Sequence, residues 1–132
     1  MNTPLKILLG LIIAVILFHI SVIIKVVPYD IAWGGQLQND REMYGFEAVS
    51  IVINLLLGVI ALIKAGYISF PYNRQIITGI LWLFLVLFSI NTVANLFSKT
   101  NLEKSFCILT LLFSVLICKV LNQGAATNQK AN

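Results

Sequence analysis

The chain has 132 residues, room for one domain, of which 59% are apolar and 11% charged, with a mean hydropathy of +0.94. Soluble domains carry roughly 45–50% apolar and about 25% charged residues, so polar atoms cannot cover this surface and lipid must solvate part of it. The net charge of +4 comes from nine Lys and Arg residues that sit singly, mostly at the ends of apolar runs, which excludes a nucleic-acid or polyphosphoinositide patch.

The expected fold is an all-α membrane protein. It is a four-helix transmembrane bundle, antiparallel and up-down, with no soluble domain, formed by residues 1–123 and followed by a disordered tail over 124–132. The first helix is predicted over 4–27. Its uncharged core from Ile7 to Ile24 spans about 27 Å at 1.5 Å per residue, and Pro28 disfavours helix at Val27. Lys6 and the apolar run after it imitate a signal peptide, but the run is too long and no A-x-A cleavage site follows. A retained helix is therefore expected.

A loop over 28–39 leads to a second helix over 40–65. Asn39 and Glu42 have the spacing of a capping box, and Gly66 is a natural stop. The third helix, 74–98, contains the clearest span: Gln75 to Phe97 carries no charge, and Asn73 can cap it after the Pro71 turn. The fourth, 102–122, has a shorter uncharged stretch between Lys104 and Lys119. By length it could be re-entrant, but Val120 and Leu121 extend it and both lysines can snorkel, so a full span is expected.

Short connections imply antiparallel neighbours. With both termini inside, Lys6, Lys64, Arg74, Lys119 and Lys130 face the inner side, and Lys25, Arg41, Lys99 and Lys104 the outer side. This small excess favours an N-in, C-in orientation in a plasma (bacterial inner) membrane. Cys107 and Cys118 lie about 16 Å apart along one helix, too far for a disulfide, and no CxxC motif is present.

Polar groups are costly in hydrocarbon, so each one within a span raises a question of role. Measured from the outer interface, Glu47 and Asn95 fall about 5 Å deep, His19 and Asn91 about 10 Å, and Asn54 about 15 Å. Glu103 stands at the mouth of the fourth helix. The inner half has little to match them. Glu47, Ser50 and Asn54 share one helical face, Asn91 and Asn95 another, and Glu103, Cys107, Thr110, Ser114 and Cys118 form a stripe on the fourth helix.

These positions define a candidate ligand pocket of His19, Glu47, Asn54, Asn91, Asn95 and Glu103, with Asp30, Trp33 and Arg41 as lid and rim. A ligand entering such a pocket from lipid would be a lipid-like or amphipathic small molecule. The alternative is a structural or accessory membrane subunit: its polar residues hydrogen-bond between helices as glue, and the Trp33 loop is an interfacial turn that meets a partner. A further alternative is an oligomeric pore or transporter, with a homo-oligomer lining an aqueous path.

No metal site is expected, because one His without HxxxH or CxxC leaves no recognisable ligand set. No cofactor, phosphate loop or nucleophile motif is found. The chain is not read as an enzyme; if it were one, Glu47 and His19 would be the acid–base pair. Small multidrug transporters carry a membrane-embedded Glu in the first helix, where this chain has His19. The MAPEG glutathione transferases place Arg, Asn and Glu in an order that Arg41, Glu47 and Asn54 do not follow. No family is recognised from these residues.

Overall fold

A helix begins with N–H groups that have no intrahelical acceptor, so its start is set by whatever side chain supplies one. The computed structural model describes residues 2–29, 37–69, 71–98 and 100–131, with side chains through Asn122. Asn2 Oδ1 accepts from Leu5 N at 3.0 Å and opens α1 (Thr3–Ile23), with Pro4 in its first turn. Asn39 Oδ1 accepts from Glu42 N at 2.9 Å and opens α2 (Asp40–Ala65). Glu42 answers by accepting from Gln38 N, one residue upstream of the cap, also at 2.9 Å. Asn73 caps α3 (Arg74–Leu96) through Gln75 N. Thr100 Oγ1 accepts from Glu103 N at 3.2 Å at the head of α4 (Asn101–Ala131).

Left-handed residues stand at the ends of α1 and α2. Gly66 has φ 87°, and it and Tyr67 donate to Ile63 O and Leu62 O, closing α2 at the predicted residue. α1 stops at Ile23, short of the predicted Val27. Its terminator is Lys25 rather than Pro28. Lys25 has φ 63°, its N–H donates to Val22 O, and Val26 N–H donates back to Ser21 O at 2.9 Å. A left-handed lysine is sterically unfavourable; the Val26 and Val27 N–H bonds to Ser21 O close the turn around it, and its exposed Nζ also pairs with Asp40 Oδ2 at the start of α2, 2.5 Å away. That hydrogen bond and the aspartate charge raise the Lys25 pKa above its ordinary value. The backbone of α4 stays helical through Ala131, whereas the sequence predicts a disordered tail over 124–132.

α1, α2 and α3, and α4 over Asn101–Asn122, are each long and apolar enough to cross a membrane. The chain is therefore an integral membrane protein built as an antiparallel four-helix bundle. α3 packs most extensively on α4, and α1 on α2; α1–α4 and α2–α3 contacts close the ring, and α2 also meets α4 across it. At Gly58 a Cβ would meet Ile12 of α1 at 3.8 Å, an ordinary contact, so α1 packs here without needing the glycine.

Two apolar clusters result. The larger fills the end that carries both the start of α1 and the α2–α3 connection, with Leu5, Leu8, Leu57, Leu81, Phe113 and Ile117 at its centre. Phe88 and Phe113 stack within it at 4.8 Å, tying α3 to α4. The smaller cluster, Val22, Leu37 and Met43, lies at the opposite end and joins α1, α2 and their connection.

Candidate functional site

Between the two clusters the bundle turns polar. His19 lies four residues before the end of α1, about 6 Å along its axis, and Glu47 seven residues into α2, about 10 Å along. Antiparallel packing brings them level, and His19 Nδ1 meets Glu47 Oε2 at 2.5 Å. Glu47 is 0% exposed and His19 14%. A carboxylate with no access to solvent must be partnered, and here the partner comes from the facing helix. The His19 ring packs edge-on against Phe18, which in turn packs edge-on against Phe106 of α4. The pair thus sits behind an aromatic seam that closes the α1–α4 side.

Asn54 follows Glu47 by seven residues on the same face of α2 and is 6% exposed. Its Nδ2 donates to Ser50 O at 2.8 Å. Its Oδ1 is buried without a hydrogen-bond partner among the described residues.

The remaining candidates are placed differently. On α3 the residues facing the core run Ile77, Leu81, Phe84, Phe88, and the same three-and-four spacing continues to Asn91 and Asn95. The first four are buried, Asn91 is exposed and Asn95 is half-buried. The equivalent stripe on α2 stays buried at Met43 and Glu47, because α1 and Leu37 cover it. At this end of the bundle, then, α2 is covered and α3 loses its cover beyond Phe88. Glu103 is drawn into the start of its own helix, where it accepts from Thr100 Oγ1 at 3.0 Å while Thr100 caps Glu103 N. The structure brings His19 and Glu47 together with Asn54 two turns along, but it does not bring Asn91 or Glu103 against them. Arg41 is exposed in the first turn of α2. Asp30 and Trp33, the rest of the expected lid and rim, lie outside the described residues.

Several polar contacts were not anticipated from sequence. Thr92 Oγ1 and Thr110 Oγ1 are 2.9 Å apart across α3 and α4, and each is also tied to the carbonyl one turn back. Lys64 Nζ donates to Thr78 Oγ1 across α2 and α3. Thr110 does belong to the polar stripe of α4, and Thr92 lies one residue after Asn91. A search for Ser and Thr level with that stripe would have found the bridge. The T-x-x-E spacing of Thr100 and Glu103 likewise signals a capping box. No group of three or more metal-ligating side chains occurs among the described residues. A shallow apolar depression on the outward face of α3, lined by Leu85, Val86, Ser89, Ile90, Val93 and Ala94, contains none of the candidate residues. No protein-family model, curated protein or solved structure matches the chain.

Proposed function

We propose that the protein binds a lipid-like or amphipathic small molecule in the half of the bundle that holds His19 and Glu47, with the site reached sideways from the membrane. The observation that carries this reading is the broken stripe of α3, apolar and covered up to Phe88, then polar and open at Asn91. Asn91 lies about 8 Å before the end of α3, within the depth of the hydrocarbon. An amide exposed there loses its water without gaining a partner, which costs free energy unless something polar comes to it. An amphiphile would supply a polar head to the amide and an apolar chain to the surrounding lipid face. With N-in and C-in orientation this half faces outward, and the site opens to the outer leaflet of a plasma membrane.

The chemistry available is binding rather than turnover. Glu47 is already engaged by His19 and is sealed from solvent, so a ligand would be read first by Asn91 on the open stripe of α3. A test is photolabelling in lipid nanodiscs with a diazirine-bearing dodecyl amphiphile. Saturable labelling of peptides around Asn91 is expected, and it should be lost in Asn91→Leu. Labelling that never saturates and spreads over all lipid-facing residues would end the reading.

A second reading, that of an accessory subunit held together by interhelical hydrogen bonds, is favoured by the Thr92–Thr110 and Lys64–Thr78 bridges. They are closed pairs with no ligand-facing geometry, and each spans two helices as such glue does.

A further inference from the structure

The charge of the molecule is divided between its ends. Asp40, Glu42 and Glu103 lie in the first turns of α2 and α4, and Glu47 follows in α2, so these carboxyl groups occupy the half that holds His19. At the other end stand Lys6, Lys64, Arg74 and Lys119, and no acidic side chain accompanies them among the described residues. Lys6 and Lys119 are exposed on α1 and α4. Lys64 and Arg74 instead converge at one corner. Lys64 is the penultimate residue of α2, where a lysine ordinarily extends toward water. Here its Nζ leans across to Thr78 Oγ1 of α3 at 2.9 Å. Thr78 follows Arg74 by one turn on the same face of that helix. The ammonium is thereby held on the Arg74 side, near enough for the guanidinium charge to act on it.

The bridge to Thr78 is closed, but a hydroxyl neutralises no charge. Nor do the helix ends: the partial negative charge at the end of α2 stands beside the partial positive charge at the start of α3, and the two cancel. What the bridge fixes is a cation beside a cation, at the level where α2 and α3 leave the hydrocarbon. We propose that this α2–α3 corner binds the headgroup of an anionic glycerophospholipid, with a single phosphodiester, as in phosphatidylglycerol, set between Lys64 and Arg74. The level fits, because these residues close the apolar spans of their helices and lipid phosphates lie just outside the hydrocarbon. The charge fits as well. Two cations match one phosphate, whereas zwitterionic phosphatidylcholine brings a cation of its own. The site lies at the opposite end of the bundle from Asn91 and does not depend on ligand binding there.

The test is native mass spectrometry of the full chain in neutral detergent, titrated with phosphatidylglycerol or with phosphatidylcholine of the same acyl chains. A Lys or Arg beside an anionic headgroup contributes about fivefold, so the wild type should prefer phosphatidylglycerol by about 25-fold. Lys64→Gln and Arg74→Gln should each lower that preference about fivefold and leave phosphatidylcholine binding unchanged. Both variants should fold, since glutamine keeps a donor for Thr78 and Arg74 is exposed. Lys64→Arg, which keeps the charge, should keep the preference; a loss equal to that of Lys64→Gln would refute the charge as its cause. Lys6→Gln and Lys119→Gln should leave it unchanged, and an equal loss in either would show a diffuse basic surface and overturn the corner as the site. Equal binding of the two lipids by the wild type overturns the proposal outright. Displacement of bound phosphatidylglycerol by millimolar inorganic phosphate would make free phosphate the ligand and overturn the lipid assignment.

Discussion

The His19–Glu47 contact makes a quantitative statement about how α1 is held to α2. Removing one partner of a buried charged pair strands the other, at a cost of about 3–5 kcal/mol. A neutral hydrogen bond between transmembrane helices contributes far less, averaging about 0.6 kcal/mol with a maximum near 1.7. Which magnitude applies depends on burial and on what else holds the group: Glu47 has no solvent exposure, but His19 is not its sole interaction. His19→Leu is therefore expected to destabilise the bundle by about 1–3 kcal/mol, between the two ranges. His19→Leu/Glu47→Leu should recover most of that loss, because it leaves no orphaned group and adds apolar contact beside Val22 and Met43. The Glu47→Leu single change strands His19, which keeps some exposure, and should cost less than His19→Leu.

Reversible unfolding in bicelles, followed by forced separation of tagged α1 and α2, measures all four corners of this cycle. The coupling energy between the two positions is the quantity that decides. A His19→Leu loss below about 1 kcal/mol would show that the pair is no stronger than ordinary interhelical glue. A double variant as damaged as the sum of the singles would refute the claim that the stranded partner carries the cost.

Two further predictions concern the ends of the helices. Gly66 has φ 87° with open space where a Cβ would go, so Gly66→Ala should cost about 1–2 kcal/mol from backbone strain alone. Gly79→Ala, also in open space but inside α3, should show no such loss in the same thermal-unfolding assay. Lys25 has a raised folded-state pKa, caused first by its hydrogen bond to Asp40. The stability it contributes is then fully present below the ordinary lysine value of 10.5 and is lost as pH rises through the raised one. Melting temperature should not change through this pair between neutral pH and pH ~10, and should fall more steeply above it in the wild type than in Lys25→Met. A difference in slope confined to the neutral range would contradict that assignment.

The sequence by itself determined the class of solvent, the number of spans and most of their ends. Those are local properties: apolar runs about 20 residues long demand lipid, and Asn39, Gly66 and Asn73 act on backbone groups within a few residues of themselves. The end of α1 escaped because nothing in the composition of Lys25 announces a left-handed conformation, and its ion pair with Asp40 joins residues fifteen positions apart. The polar positions within the spans were legible one by one, since a charge or amide in hydrocarbon stands out.

Their partners were not legible, because pairing depends on how far one helix slides past another, and a shift of a single turn would part His19 from Glu47. Periodicity put Asn91 and Asn95 on one face of α3. Only the packed bundle decided that the core stops covering that stripe after Phe88. The same packing gave Glu103 to its own helix start and left Asn54 with an acceptor that no described neighbour matches. Local chemistry fixes which residues need a partner, and the register between helices fixes whether one arrives.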